Sequence, residues 1–303
     1  MATLKERIGQ HQFSVLISIA DDDLFDVGSH RLIKRFNSSR NPLSIHPVVI
    51  VADPFLFVHN EELYLFYEEQ TGLTGKGIIK MSKTKDNIKW TKPTIVLEEG
   101  YHLSYPNVFK CDGQIYMIPE TGNEGKVILY KPNSDLTRWR HYKTLLNGRR
   151  FTDSSLLKHE NLFYLFTTDY SNKTNILRLY LSDSIDGVWT EHSRSPIASG
   201  KDTGRCAGAL INHKGKLYRP SQLTRKRYGE GVDIFEIAAL SDKEYREEWL
   251  KTIIPNPNKN YQRGGHHFNY CTFKNKLMVA TDAFCIKINY FEIARRVVVK
   301  IRS

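Results

Sequence analysis

DPFLFVHNEELYLFYEE (53–69) reads as an apolar strand, a short polar turn and a second apolar strand. The same plan returns in YPNVFKCDGQIYMIPET (105–121), DSSLLKHENLFYLFTTD (153–169), AGALINHKGKLYRPSQ (207–222) and HFNYCTFKNKLMVATD (267–282), with starts 52, 48, 54 and 60 residues apart. A fixed internal period decides a fold more strongly than local propensity does. Trp90, Trp139, Trp189 and Trp249 follow the first four hairpins at spacings of 49, 50 and 60, an independent mark of the same period. Asp86, Asp135 and Asp186 precede three of them and are expected to start the turn into an outer strand. A third strand (GIIKMSK, KVILYKP, ILRLYLS, VDIFEIA) lies between hairpin and tryptophan. Four antiparallel strands per ~50 residues, five times over, predict an all-β, five-bladed β-propeller.

The predicted blades are about 45–99, 100–149, 150–200, 201–256 and 257–303, in a single domain spanning residues 1–303. The early strand FSVLISI (13–19) is expected to complete the last blade. Residues 285–301 read equally as strands or a helix, and the rival fold is a β-sandwich, which leaves the tryptophan period unexplained.

The 303 residues carry 44 Lys and Arg against 33 Asp and Glu, a net charge of +11. Such a balance suits a phosphorylated partner or an anionic membrane surface. Nucleic acid is not expected, since the nearest basic and aromatic cluster, TRKRY (224–228), is short. Cys111, Cys206, Cys271 and Cys285 have no paired spacing and read as scattered reduced thiols. No P-loop, GxGxxG or GxSxG motif occurs. The first residues, MATLKERIGQHQ, carry no apolar signal core, and no apolar run approaches a membrane span, so a cytoplasmic location is expected.

In a propeller, the start of each blade's first strand and the end of its second lie at one mouth of the central channel. Strand starts place Asp53, Tyr105, Asp153, Arg205, His266 and His267 there. Strand ends add Glu68, Glu69, Glu120, Asp169, Gln222 and Asp282, and flanking loops add His102, Ser104, Lys201, Arg219 and Tyr228. Of these, Asp53, Glu120 and Asp153 are the candidate catalytic acids. His102, Tyr105, Asp169, Lys201, Arg205, Arg219, Gln222, His266, His267 and Asp282 are the candidate substrate-binding residues. The His266–His267 pair has no third ligand at zinc spacing, so no metal or other cofactor is expected, with a divalent cation left open.

VADPFLF, LYLFYEE, HLSYPNVFK, IYMIPE, DSSLLKHENLFYLF, LYRPSQ, YGEGVDIFEI and the GGHHF motif, in that order over about residues 45–284, resemble the N-terminal domain of plant glucosamine inositolphosphorylceramide transferases. Similar domains occur in bacterial cell-surface polysaccharide loci, so the resemblance implies sugar metabolism. More distantly, Asp53–Pro54 is similar to the first motif of five-bladed furanoside hydrolases. Those enzymes would carry an acid at the position of Tyr105 and Glu at that of Asp153, and this sequence departs from them at both.

The expectation is therefore a glycosyltransferase acting on a furanose or related sugar in O-antigen or capsule (lipopolysaccharide or polysaccharide) synthesis. Its donor would be a phosphosugar or nucleotide sugar, its acceptor an oligosaccharide or lipid-linked glycan, with peripheral attachment to the inner membrane face as an extension. Asp53 would be the general base or the stabiliser of an oxocarbenium-like transition state, with Glu120 and Asp153 tuning it. The alternatives are a furanosidase-type hydrolase and a non-catalytic carbohydrate-binding propeller that partners a separate transferase.

Overall fold

The computed structural model describes residues 9–21, 23–38, 43–45, 47–71, 75–254, 264–291 and 293–294. The parts of the expected fifth blade at 257–263 and 295–303 lie outside these residues. The chain opens with β1 (Gln10–Ala20) and β2 (Arg31–Phe36). Blade one follows as β3 (Val48–His59), β4 (Glu62–Thr71), β5 (Gly77–Thr84) and β6 (Thr94–Leu97). Blade two is β7 (Ser104–Cys111), β8 (Gln114–Glu120), β9 (Lys126–Pro132) and β10 (Trp139–Asn147). Blade three is β11 (Phe151–His159), β12 (Leu162–Asp169), β13 (Ile176–Ser182) and β14 (Thr190–Glu191), with β15 (Ala198–Ser199) also on β13. Blade four is β16 (Ile211–His213), β17 (Lys216–Leu223), β18 (Gly231–Leu240) and β19 (Tyr245–Ile253). Blade five takes its inner strands, β20 (Phe268–Phe273) and β21 (Lys276–Lys287), from the end of the chain and its outer strands, β1 and β2, from the beginning.

The fold is thus the expected five-bladed propeller, closed by an N-terminal strand. β1 pairs with β21 over eleven residues, from Gln10↔Lys287 to Ala20↔Leu277. This covers what would be an open sheet edge and ties the two ends of the chain together. Cys285–Lys287 is strand, and Tyr290 begins a helical turn.

The hairpin turns explain their polar sequences. Asn60–Glu61, Asp112–Gly113, Lys214–Gly215 and Lys274–Asn275 all hold positive φ at both positions, the geometry whose twist matches that of the flanking strands. The apolar residues of each blade bury against the next blade. Phe57, Phe66 and Met81 of blade one pack with Met117, Tyr130 and Trp139 of blade two. Val15 and Ile17 of β1 pack with Val51 and Leu65 of blade one, so closure of the ring is also a core contact. Trp139 and Trp189 are buried at blade boundaries and Trp90 is half-buried against Phe36. Trp249 breaks the pattern: it stands outward on β19, 60% exposed, with its Nε1 donating to Asp233. Asp86 and Asp135 accept backbone N–H groups at the turns expected of them, from Ile88 and Lys89 and from Thr137. Asp186 instead takes the hydroxyls of Ser184 and Tyr142. No helix among the described residues is long and apolar enough to cross a membrane.

Candidate functional site at the channel mouth

The inner strands of blades one to three each carry a bulge at the same place. Pairing jumps from Ala52↔Glu68 to Phe55↔Phe66, from Ser104↔Glu120 to Asn107↔Ile118, and from Thr152↔Thr168 to Ser155↔Phe166. Two residues therefore oppose one in each blade, and the first of the two is left-handed: Asp53 (φ 52), Tyr105 (φ 48) and Asp153 (φ 47). Bulges re-aim a side chain, and a non-glycine residue held left-handed costs on the order of 1–3 kcal/mol. Blade four has Ala207 in the aligned place, and the residue after it, Gly208, holds positive φ (139). Only glycine fits there, because a Cβ would lie 1.9 Å from the carbonyl oxygen of Phe268.

Two groups of charges form around these bulges. In the first, His266 bridges two carboxylates, with Nε2 3.3 Å from Asp53 Oδ1 and Nδ1 2.9 Å from Asp282 Oδ2. Asp282 Oδ1 accepts the backbone N–H of both His266 (2.7 Å) and His267 (3.2 Å), and Asp53 Oδ2 accepts that of Tyr105 (3.2 Å). Burial works against the His266 imidazolium, but Asp282, Tyr228 and Asp53 together hold its pKa well above the ordinary value. Burial would likewise raise Asp53, yet His266 and His267 hold its carboxylate far below the usual range. In the second group, Asp153 Oδ2 takes Arg205 Nε at 2.5 Å and Gln222 Nε2 at 2.8 Å, while Arg205 Nη2 stands 3.7 Å from Glu120.

Two further carboxyls behave in the opposite way. Burial, with Asp153 beside it, pushes the Glu120 pKa well up against the opposing pull of Arg205. Burial pushes Glu68 up as well, reinforced by Asp53 and Glu120. Glu68 Oε1 stands 3.6 Å from His102 Nε2, whose Nδ1 accepts the backbone N–H of Gly77. Burial lowers the His102 pKa. The mouth therefore holds one carboxylate kept ionised and two carboxyls pushed toward the neutral acid, a separation typical of sites that move protons.

Accessibility sorts the candidates. Asp53 is 4% exposed and Asp153 1%, so both expected acids work from behind the surface. Glu120 keeps 11% of its side chain open, Arg205 22% and His102 27%. Tyr228 covers the cluster, its ring 4.9 Å from His266 and 5.8 Å from the Arg205 guanidinium.

Four candidate binding residues are placed otherwise than expected. Tyr105 is fully buried: its Oη meets Ser155 Oγ (2.8 Å), the Gly208 carbonyl (2.7 Å) and the Gly208 N–H (2.7 Å), so the ring plugs the channel. His267 is fully buried against Phe55 and Tyr105. Arg219 turns away from the mouth into a bidentate pair with Glu247 (2.7 and 2.6 Å), over the ring of Phe235. Asp169 is committed to Arg149 (3.1 Å) and Arg178 (2.9 Å). Lys201 lines a cavity with Arg205 and Tyr228 beside the mouth.

Glu68 was legible as a mouth residue, and its register, opposite the residue before the bulge as Glu120 is, marks it as the equivalent in blade one. Phe13, whose ring lies 4.9 Å from His266, comes from the closing strand and had no signal in the repeat. Asp53, His266 and Asp282 present ligand atoms within 4.8 Å of one another, so the fold supplies the partners that local spacing around the histidines did not. These three could hold a cation, in which case the metal would replace the His266 proton.

The fold and the site together define a five-bladed β-propeller with an acid-lined channel mouth. Residues 38–280 match the family model described as glucosamine inositolphosphorylceramide transferase 1, N-terminal, and the chain belongs to that family. It is 37% identical over 209 residues to the glucosamine inositolphosphorylceramide transferase 1 of Oryza sativa subsp. japonica, covering 67% of this chain and 28% of the relative. The Arabidopsis thaliana protein of the same name is 35% identical over 208 residues, 66% of this chain and 27% of its own length. The chain thus spans under a third of these relatives. Among solved structures, Zg3597, a family 117 glycoside hydrolase of Zobellia galactanivorans, superposes with a TM-score of 0.56 over 93% of this chain and 92% of its own, at 11% identity. At that identity the likeness speaks for the fold.

Proposed function

We propose that the protein transfers a sugar, a furanose or related ring, from a phosphosugar or nucleotide-sugar donor to an oligosaccharide or lipid-linked acceptor, in the building of a cell-surface polysaccharide. The observation that carries this reading is the placement of Glu120: a reachable carboxyl near Arg205 whose pKa burial and Asp153 push up, at the same mouth as a buried Asp53 that His266 and His267 keep ionised. A raised carboxyl is the better proton-transfer group near neutrality, whereas the strongly depressed Asp53 is a poor base. Glu120 as carboxylate takes the acceptor's hydroxyl proton while that oxygen bonds to the anomeric carbon. The bond from that carbon to the donor's phosphate oxygen breaks, and the phosphate leaves with the electron pair and needs little general acid. Asp53 stabilises the positive charge that develops on the ring. The names of the plant relatives, both transferases, support the same reaction class. The net charge of +11 would hold the protein at the inner face of an anionic membrane, where lipid-linked acceptors reside.

Incubation with phosphosugar and nucleotide-sugar donors and a lipid-linked acceptor tests this. Glu120→Gln should reduce kcat by about 100-fold or more, within the range general-base loss gives. The acid limb of the parent's kcat profile should lie above the ordinary glutamate range. No donor consumption by the parent, or full activity in the variant, rejects the reading. Release of a free furanose would favour hydrolysis, the second reading, which Asp53–Pro54 at the head of blade one supports. Binding of glycan without turnover would favour the non-catalytic reading.

A further inference from the structure

Beside the acid mouth, between blades three and four, lies a cavity of about 290 Å³ whose lining includes Tyr170, Lys173, Lys201, Arg205, Thr224 and Tyr228. Lys173, Lys201 and Arg205 line it and no carboxylate does, beside a mouth that carries Asp53, Glu68, Glu120, Asp153 and Asp282. Arg205 is already turned toward Asp153, but Lys173 and Lys201 enter no ion pair among the described residues. The backbone around them is fixed. Thr224 anchors the Lys201 carbonyl through both its N–H (2.9 Å) and its hydroxyl (2.8 Å), and the Lys173 N–H is held by the Tyr170 carbonyl (3.1 Å). Asn175 lines the same cavity with a buried Oδ1 that accepts no hydrogen bond among the described residues.

We propose that this cavity is a phosphoryl-binding subsite, taking the phosphate of a ligand whose sugar or cyclitol ring enters the acid mouth. The volume is small for a whole small-molecule site, which commonly begins near 300 Å³, and suits a phosphoryl or diphosphoryl group held by lysine and arginine donors. Tyr228 is the partition. Its ring lies 5.8 Å from the Arg205 guanidinium, which lines the cavity, and 4.9 Å from His266 in the acid cluster. A ligand crossing that edge would put its negative group among the cations and the carbon bonded to it among the carboxyls.

The inference rests on the glycosyl-transfer reading for the fate of the ring, and on the cavity alone for the phosphate. The same chemistry could come from a soluble glycosyl donor or from the phosphodiester of a phosphoinositol headgroup. Calorimetric titration at low salt with uridine diphosphate, glycerophosphoinositol and inorganic phosphate separates the two sources and needs no turnover. At least one probe should bind the parent, and the Lys173→Ala/Lys201→Ala variant should bind it at least tenfold more weakly. Both lysines are exposed, so the variant should fold. A Lys85→Ala/Lys274→Ala variant removes the same charge at the opposite mouth and should bind as the parent does. Preference for uridine diphosphate assigns the cavity to a soluble donor, and preference for glycerophosphoinositol assigns it to a lipid headgroup. A parent that binds none of the three, or equal weakening by the two double variants, overturns the proposal. Failure of the transferase assay alone would leave it standing. Transfer with an unchanged KM in Lys173→Ala/Lys201→Ala would overturn it and leave the glycosyl-transfer reading intact.

Discussion

The ion network around Asp169 gives a quantitative test of how blade three is held. Its carboxylate is 7% exposed and accepts Arg149 Nη1, Arg178 Nε and the Ser171 N–H, and Arg178 and Arg149 also reach Glu191. Burial alone would raise its pKa. The bonds from Ser171, Arg178 and Arg149 outweigh burial and bring it from the ordinary 3.8 to about 2. At about 1.4 kcal/mol per tenfold change in proton affinity, this is worth about 2.5 kcal/mol of folding stability near neutrality. The sign follows from the depression: the folded state holds the proton less tightly, so the contribution is full above pH 3.8 by a unit or more and is lost as pH falls toward 2. About half of it, near 1.3 kcal/mol, should remain at pH 3. The assay is urea unfolding of the parent and Asp169→Asn across pH 7 to 3, scored as the difference between them, which cancels the titration of every other carboxyl. The difference should be about 2.5 kcal/mol at pH 7, with Glu191 still pairing both arginines in the variant, and should shrink by about 1 kcal/mol by pH 3. A difference below ~0.5 kcal/mol at pH 7, or one that does not change with pH, would refute the reasoning.

Three other outcomes follow from the same structure. Glu247→Ala leaves the Arg219 guanidinium, 1% exposed, buried without its partner and should cost about 3–5 kcal/mol by urea unfolding, whereas Arg219→Met combined with Glu247→Leu should cost much less. Gly208→Ala drives a Cβ into the Phe268 carbonyl and displaces the Tyr105 hydroxyl, so the midpoint should fall or soluble expression fail; a variant as stable as the parent would contradict the bulge geometry. The Cys206 thiol, buried and pushed up to about 12 by that burial, should resist a maleimide at pH 7.5 in the folded state and react once urea is added; rapid labelling of the native protein at this residue would count against its placement.

The fold was legible because a period is a property of the whole chain. Five hairpins and the strand at 13–19 sufficed, since a ring of sheets leaves an edge that an apolar strand from the other end must cover. β2 was not legible: RLIKRF is short, mixed in polarity and half-buried, with nothing periodic about it. The acids of the mouth were legible because they bound the apolar runs of the hairpins, although Asp53, Glu68 and Asp282 lie inside longer strands. Their partners were not, because pairing is set between blades that the repeat treats as independent. Arg219 sits two residues after the Leu217 that the repeat aligns with a mouth-directed strand, yet Glu247, 28 positions on, decides where its guanidinium points. Tyr105 stands where the repeat places Asp53 and Asp153, and only the left-handed bulge reveals that its ring lies across the channel.

That bulge also explains why the site is lopsided. The same backbone device aims Asp53, Tyr105 and Asp153 inward from three successive blades, and each is held by partners that make the strained φ worthwhile: histidines for the first, Ser155 and Gly208 for the second, Arg205 and Gln222 for the third. Blade four places the small Ala207 at the aligned position, and the backbone of the next residue, Gly208, receives the Tyr105 hydroxyl. Around blade four, charge comes from the preceding loop, as Arg205 and Lys201, while Gln222 near the end of β17 contributes a neutral amide to Asp153. A propeller of five equal blades would present a symmetric acidic ring. Here Ala207 leaves one inner position without a polar side chain, and the cavity between blades three and four is lined by cations and no carboxylate. In the proposed transfer, the ligand's negative group lies on the Arg205 side and the atom that gains positive charge lies toward Asp53.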